Sequence, residues 1–78
     1  MRAFVLLKLN PNDTSHLMQE LKAVSYIQQA NVIHGPYDCL LEIEAASLDE
    51  INQAVLDLRA RKGITDTLTC LVIQSWQR

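Results

Sequence analysis

The sequence predicts an α+β fold whose strands and helices follow the order β-α-β-β-α-β. The chain has 78 residues, a length that fits one domain. Hydrophobic residues form 49% of it, which is typical of a packed domain and excludes a disordered segment. Along the chain, segments with the spacing of a strand, in which every second residue is apolar, are followed by segments with the spacing of a helix, about 3.6 residues. We therefore expect residues 1–78 to form a single domain.

The first half of the chain contains two predicted strands with a helix between them. Residues 3–9 form a short apolar run that predicts a buried strand. Turn residues follow, and Asp13 or Thr14 is placed to cap the next helix. Apolar side chains at helical spacing predict that this helix covers residues 14–24. A second strand is predicted over residues 26–34, where turn residues interrupt it.

The second half repeats this order and ends on a strand. Residues 39–45 predict a third strand, joined to the second by a hairpin. Ser47 and Glu50 have the spacing of a capping box, in which each side chain bonds a backbone donor of the other residue, so a helix is predicted to begin there. Gly63 is placed to end that helix or to turn the chain after it, and residues 67–74 predict the last strand. This order is that of the ferredoxin-like fold, a four-stranded antiparallel sheet with both helices on one face.

The first and last predicted strands are apolar on both faces. Two helices cover only one face of a sheet, and a sheet with a wet second face should alternate apolar and polar residues. Full burial of each additional apolar side chain contributes about 1.5–3 kcal/mol. We therefore expect a dimeric α/β sandwich in which the uncovered faces of two subunits pack together. The residues predicted for that interface are Phe4, Leu6, Leu40, Leu71 and Ile73.

Charge and cysteine content exclude several classes of function. Seven Lys and Arg against nine Asp and Glu give a net charge of −2, without the basic field that nucleic-acid binding requires. The one basic cluster, Arg59, Arg61 and Lys62, lies at a predicted helix end. Cys39 and Cys70 lie in apolar stretches and lack the spacing of metal ligands. Neither a signal peptide nor an apolar run of membrane-spanning length occurs, so we expect a cytoplasmic protein that contacts no membrane. From the charge and the cysteine spacing we also expect it to use no metal or cofactor and to contact no nucleic acid.

The residues that could carry chemistry are few. His16 and His34 are the candidate bases, and no Ser/His/Asp or Cys/His grouping is visible in the sequence. The turn from His34 to Asp38 combines a glycine, which permits an unusual backbone angle and close approach, with an aromatic ring and a carboxylate able to hold an ammonium group. Alternate threonines over residues 65–69 place hydroxyls on one strand face. Both features also fit ordinary structure, namely a hairpin turn and the polar start of a strand.

Four short segments together resemble a known family. They are Ala3-Phe4-Val5-Leu6-Leu7-Lys8-Leu9, Gly35-Pro36-Tyr37-Asp38, residues 42–50 and Gly63-Ile64-Thr65-Asp66-Thr67-Leu68-Thr69. In this order, and over essentially the whole chain, they resemble the ligand-sensing RAM domain of the Lrp/AsnC (feast/famine) transcriptional regulators. Such regulators carry a helix-turn-helix before this domain, whereas Met1 here leads directly into the first strand. The resemblance is therefore to a stand-alone form of the domain.

The resemblance implies partners and a ligand site. It implies dimers with their sheets face to face, association of dimers into octamers or decamers, and assembly with full-length Lrp/AsnC regulators. It also implies that a small effector, typically an amino acid, binds between dimers. The residues carried over to that site are Gly35, Tyr37, Asp38, Thr67 and Thr69, with His34 in place of a more usual small hydroxyl residue. In this arrangement Asp38 holds the ammonium group of the effector, while the threonines and nearby backbone N–H groups hold its carboxylate.

Three functions fit the sequence. The first is a non-catalytic sensor that binds an amino acid and changes its assembly, alone or with full-length regulators. The second is a small dimeric ferredoxin-like enzyme of the monooxygenase or isomerase type, with His34 or His16 as its base. The third is a structural oligomerisation module without a working ligand site. Of the three, the sequence favours the non-catalytic sensor.

Overall fold

Four antiparallel strands and two helices confirm the predicted order. The computed structural model describes all 78 residues. The elements are β1 (Arg2–Leu9), a 3-10 turn (Pro11–Asp13), α1 (Thr14–Leu21), β2 (Ile27–Val32), β3 (Cys39–Glu44), α2 (Leu48–Arg59) and β4 (Ile64–Leu71). The strands lie in the order β2-β3-β1-β4, with β2 and β4 at the edges of the ferredoxin-like sheet. Neither helix has the length and apolar composition needed to cross a membrane.

One apolar core lies between the sheet and the two helices. Alternate residues of β1 are buried, and the residues between them are more exposed. The buried residues of α1 are Leu17 and Leu21, whereas α2 contributes Ile51, Ala54 and Leu58, the spacing of one helical face. No polar or charged residue is buried. The core consists of Ala3, Val5, Leu7, Leu9, Leu17, Leu21, Cys39, Leu41, Ile43, Ile51, Ala54 and Leu58.

The connection from β1 to α1 differs from the predicted cap. Asn10 Oδ1 accepts a hydrogen bond from the Asn12 N–H at 3.0 Å, so Asn10 caps the 3-10 turn, and the side chain of Asp13 makes no cap bond. The helix then ends at Leu21 rather than at the predicted residue 24. Its last turn tightens, because the Val24 N–H donates to the carbonyl of Leu21 at 3.1 Å, three residues back.

Both ends of α2 are fixed by short-range contacts. The Glu50 N–H donates to Ser47 Oγ at 3.2 Å, as predicted, but the Glu50 carboxylate accepts from the Ala46 N–H at 2.9 Å and not from that of Ser47. After the helix, Gly63 has a φ of +99°, and a Cβ there would lie 2.7 Å from Asp13 Cβ. Only glycine fits this position. The turn after α2 is thereby packed against the turn before α1.

The two edge strands differ most from prediction. β4 begins at Ile64 and ends at Leu71, not at residues 67 and 74. Its first residues pair with the end of β1, Ile64 opposite Leu9 and Asp66 opposite Lys8, across a shift in register. The polar residues at the start of β4 have the composition of a turn, but they lie in a strand because pairing with β1 supplies their backbone hydrogen bonds. β2 covers only Ile27–Val32 and is shorter than predicted at both ends.

The face of the sheet away from the helices is uncovered and has an apolar centre. Leu6 pairs with Leu40 on one side and with Leu68 on the other, and Phe4 pairs with Cys70. Directly paired residues share a face, so these five side chains lie together. We call Phe4, Leu6, Leu40, Leu68 and Cys70 the open-face patch. Along its margin, Arg2 Nε lies 3.3 Å from Glu42 Oε1.

Two residues predicted for the same face lie elsewhere. Leu71 pairs with Ala3, whose side chain is buried on the helix side. Ile73 lies beyond the end of β4. Their assignment to one face with Phe4 is wrong, because the sequence alone does not fix the register between β1 and β4. A shift of one residue moves every side chain of a strand to the other face.

Candidate functional site

Two polar regions lie at the same end of the sheet. The loop between β2 and β3 carries His34, Gly35, Tyr37 and Asp38, and the start of β4 carries Thr67. Leu7 of β1 pairs with Cys39 at the start of β3 and with Thr67 in β4. The two regions are therefore on either side of β1, about 10 Å apart at a strand spacing of about 4.8 Å.

Asp38 is held firmly against β1. Its N–H donates to the carbonyl of Leu7 at 2.8 Å, and its Oδ2 accepts from the Leu9 N–H at 2.9 Å. Asp38 Oδ1 has no hydrogen-bond partner within the protomer. The side chain lines a cleft of about 190 Å³ that we call the Asp38 cleft. Its lining residues are Leu9, Pro11, Thr14, Val32, Ile33 and Asp38.

Tyr37 lies beside a residue of the open face. Lys8 Nζ is 5.5 Å from the centre of the Tyr37 ring, a cation–π distance. Tyr37 is half-buried and does not line the Asp38 cleft. Tyr37 and Asp38 are adjacent in the loop but contact different groups: the Tyr37 ring lies beside Lys8, and the Asp38 carboxylate accepts from the N–H of Leu9 at the end of β1.

His34 and Gly35 are exposed and make no specific contact. Neither takes part in a side-chain hydrogen bond, and a Cβ added at Gly35 would meet nothing within 4 Å. Gly63 is the one glycine with positive φ. The interpretation that Gly35 is required for an unusual backbone angle or close approach is therefore wrong within the protomer, and an alanine fits there.

The threonines of β4 lie on the helix side of the sheet. Thr67 and Thr69 pair with Leu7 and Val5, and both are half-buried. Thr67 lines a cleft of about 210 Å³ together with Arg59, Ile64, Thr65 and Asp66, which we call the Thr67 cleft. Thr69 does not line it. The Thr67 N–H donates to Asp66 Oδ1 at 2.9 Å.

Arg59 belongs to the candidate site but was not predicted from the sequence. Its place in the last turn of α2 led to its interpretation as a solvated helix end, but it lines the Thr67 cleft. No acidic group lies within ion-pair distance of its guanidinium, whereas nearby Arg61 pairs with both Glu20 and Asp57. The tight turn at Gly63 brings β4 back beside the end of α2. That turn residue is the signal that could have placed Arg59 beside the threonines.

A polar network at the outer side of the helices also escaped prediction. Tyr26 Oη donates to Asp57 Oδ2 at 2.6 Å, Arg61 Nη2 donates to the same oxygen at 3.0 Å, and Arg61 Nη1 lies 3.6 Å from Glu20 Oε1. The Tyr26 hydrogen bond, followed by that of Arg61, lowers the pKa of Asp57. Burial is the main cause that raises the pKa of Tyr26. These contacts join α2 to α1, and the buried Arg61 Nε is left without a hydrogen-bond partner.

The candidate catalytic residues do not form a catalytic group. His16 is exposed, with Nε2 3.4 Å from Glu20 Oε2, and His34 is exposed in its loop. Cys39 is buried, and burial raises the pKa of its thiol. Cys70 is exposed on the open-face patch. No three His, Cys, Asp or Glu side chains are grouped so as to hold a metal ion.

Comparison with known families settles the relationship of the chain. Residues 2–78 match the family model of the Lrp/AsnC ligand binding domain. The chain belongs to this family. The match extends over every strand and helix, and it confirms the resemblance found in the sequence. The family and the fold together support a regulatory ligand-binding domain.

Proteins similar to this Lrp/AsnC domain include regulators and an enzyme. The chain is 34% identical over 61 residues to homocitrate synthase of Sulfurisphaera tokodaii, in a match that covers 78% of the chain but 13% of that curated relative. The crystal structure of FFRP-DM1 is 26% identical, with a TM-score of 0.87 over 92% of this chain and 97% of that one. A transcriptional regulator of Neisseria meningitidis, solved as an L-Met complex, has a TM-score of 0.91 at 16% identity, over 99% of this chain and 52% of the regulator. At that identity the last likeness shows the fold alone.

In this Lrp/AsnC domain, the predicted ligand residues form two separate groups. Asp38 lines one cleft and Thr67 lines the other, and no cleft of the protomer contains both. Tyr37 and Thr69 line neither. We call the loop from His34 to Asp38 and the cleft around Thr67 the two half-sites.

Proposed function

We propose that this Lrp/AsnC domain is a non-catalytic sensor that binds a free amino acid between copies of itself and modulates transcription or metabolism through its assembly. The observation that carries the proposal is the separation of the half-sites. Each contains groups suited to one end of an amino acid, yet β1 lies between them in one protomer. The charged ends of an α-amino acid are joined through one carbon, so a single ligand needs the half-sites of two copies.

The chemistry of each half-site supports this arrangement. Asp38 Oδ2 is occupied by the Leu9 N–H, so Oδ1 is the atom that would accept the ligand ammonium group. Tyr37, Gly35 and His34 would form the surrounding wall. On the neighbouring copy, the hydroxyls of Thr67 and Thr69 would take the ligand carboxylate.

Dimer formation is the second part of the proposal. The open-face patch places apolar side chains at the centre of a face and the Arg2–Glu42 ion pair at its margin, which is the anatomy of a protein interface. We propose that two copies pack through this patch. Phe4, Leu6 and Leu40 remain the proposed interface residues, with Leu68 and Cys70 in place of Leu71 and Ile73.

Larger assemblies and cell location follow from the same proposal. Dimers would associate into octamers or decamers, and with full-length Lrp/AsnC regulators, so that the half-sites of neighbouring dimers meet. A net charge of −2 leaves DNA contact to such regulators. Cys39 and Cys70 are both unpaired, which fits the reducing cytoplasm, where free amino acids would be sensed.

The likeness to homocitrate synthase favours a second candidate function. A segment of that enzyme is 34% identical to this chain over 61 residues, so sequences of this kind also occur within a catalytic protein. We therefore propose, as the alternative, that this domain regulates a biosynthetic enzyme by amino-acid-dependent association. A catalytic role for His16 or His34 lacks comparable support, because both are exposed and neither lines a cleft.

Thermal unfolding with each of the twenty amino acids tests the sensor proposal. A ligand at about 100 times its Kd adds roughly 2.7 kcal/mol to the stability, enough to raise the Tm of a small domain by several degrees. We expect at least one amino acid to do so in the wild type. If none does, the sensor proposal fails and the structural oligomerisation module is left.

Asp38→Asn tests the assigned site without removing its structural bond. The amide oxygen of the variant can still accept from the Leu9 N–H, but the charge that would hold an ammonium group is gone. We expect the ligand-induced rise in Tm to disappear. Asp49→Asn, at an exposed acidic residue in the first turn of α2, is the matched control and should keep it. A full response in Asp38→Asn would show that Asp38 does not bind the effector.

A further inference from the structure

The segment after β4 carries the two most exposed large apolar side chains of the protomer. Ile73 is 90% exposed and Trp76 is 75% exposed. The Val72 N–H donates to the carbonyl of Arg2 at 3.0 Å, which continues the pairing of β4 with β1 by one step. Beyond Val72, no residue of the segment forms a hydrogen bond with the rest of the protomer. We call residues 72–78 the C-terminal segment.

The C-terminal segment continues from the open-face patch. Leu68 and Cys70 belong to that patch, and Cys70 pairs with Phe4 near the start of β1. Alternate residues of an extended chain share a face, so in an extended continuation of β4 positions 72, 74 and 76 would follow the row of Leu68 and Cys70. That parity would place Trp76 on the side of the sheet that the proposed dimer covers.

The reach of the segment fits a second copy of the chain. Six residues beyond Val72 extend at most about 20 Å, and a four-stranded sheet is about 14 Å wide between its edge strands. The segment is therefore long enough to cross the sheet of a facing protomer. An exposed indole is also a large apolar surface, since a Trp side chain buries about 150–250 Å² when it is covered.

We propose that the C-terminal segment of each protomer packs along the second copy in the dimer, with Trp76 seated at the margin of the open face of that copy, beside the contact between the two open-face patches. This inference rests on the dimer proposed above and adds a contact that the sheet faces alone do not make. Arg78 follows the indole, with its guanidinium carbon 5.0 Å from the Trp76 ring centre. It would cover the solvent side of the ring as a cation–π partner.

Trp76 is the single tryptophan of the chain, so its fluorescence reports on the segment directly. The wild type is compared with Leu6→Asp, which places a charge in the open-face patch and should be monomeric; sedimentation equilibrium verifies both states, and circular dichroism verifies folding. In the wild-type dimer we expect emission at shorter wavelength and a several-fold lower acrylamide quenching constant than in Leu6→Asp.

Trp76→Ser provides a second measurement, the dissociation constant of the dimer. We expect this substitution to raise the Kd at least about tenfold. Leu56→Ser, at an exposed leucine on α2, is the matched control and should leave the Kd unchanged.

Each contrary result overturns a different claim. A verified dimer in which Trp76 is quenched as strongly as a free indole, as in Leu6→Asp, refutes the proposed contact and leaves the dimer intact. Weak quenching in both the dimer and Leu6→Asp shows that the segment packs on its own protomer, which also refutes the contact. A wild type that is monomeric throughout the concentration range refutes the dimer and this contact together, whereas the amino-acid panel tests ligand binding separately.

Discussion

The two faces of the sheet have similar composition but opposite surroundings. On the helix side, Leu7 and Leu41 are completely buried. On the open face, their chain neighbours Leu6 and Leu40 are only partly buried, and Leu68 is 45% exposed. Leucines one position apart along a strand are thus buried on the helix side and partly exposed on the open face. The difference arises because the chain has only two helices and both cover one face.

This contrast separates folding from association. The helix-side residues form the core of the protomer, so their loss should be seen in unfolding. The open-face residues contact nothing across the face within the protomer, so their loss should be seen mainly in formation of the proposed dimer. Leucines at positions 40 and 41 allow the distinction to be tested with the same substitution on each face.

The largest effect on stability is expected for Leu41→Ala. Deleting a buried leucine side chain removes its burial and leaves a cavity, at a cost of about 2–5 kcal/mol. Urea denaturation, at a concentration where each protein is monomeric, should show this loss. Leu40→Ala is the matched control and should cost under about 1 kcal/mol, because its side chain already contacts solvent. Equal losses would mean that the open face contributes to the fold of the protomer as much as the core does.

The next effect concerns association and is expected for Leu6→Asp. A buried carboxylate without a partner is costly, so the Kd of the dimer should rise at least about 100-fold, equivalent to about 2.7 kcal/mol. Analytical ultracentrifugation measures the change, and circular dichroism should show a folded protomer. Leu56→Asp, on the exposed side of α2, should leave the Kd as it is. A dimer that persists in Leu6→Asp would place the interface away from the open-face patch.

The contrast also explains which parts of the fold the sequence could predict. β1 and α2 are predicted closely, because a short apolar run is typical of a buried strand and a capped apolar stripe is typical of a helix. β4 is predicted three residues late because Thr65 and Asp66 have the composition of a turn. Their strand conformation depends on pairing with β1, which is a contact between distant parts of the chain. The same missing register led to the wrong face for Leu71.

The candidate site was likewise predictable in its residue types but not in its arrangement. Its residue types were visible in the loop before β3 and in the threonines of β4, but their separation by β1 depends on strand order. Turn roles were predicted for both Gly35 and Gly63, and the structure bears out only the role of Gly63. Gly63 has a φ of +99° and a Cβ there would lie 2.7 Å from Asp13 Cβ, whereas Gly35 has open space around it. The position of Arg59 beside Thr67 follows from that same turn at Gly63.

The smallest effect is expected at the outer side of the helices, and it depends on pH. The hydrogen bond from Tyr26 lowers the pKa of Asp57 in the folded state, so the folded protein binds fewer protons there than the unfolded chain does. This contribution to stability is present above the ordinary Asp pKa of about 3.9 and is lost as the pH falls through the lowered value. Because Asp57 is half exposed, solvent reduces the contribution to about 0.2–1 kcal/mol.

Tyr26→Phe should weaken this pH dependence. The variant lacks the hydroxyl but keeps Arg61, so Asp57 retains only its second source of stabilisation. Urea unfolding at about pH 5 and about pH 3, on either side of the ordinary Asp pKa, should show a smaller acid-induced loss in Tyr26→Phe than in the wild type. Tyr37→Phe is the control, since the Tyr37 hydroxyl bonds no carboxylate. Identical losses in wild type and Tyr26→Phe would show that the network joins the helices without coupling their stability to Asp57 ionisation.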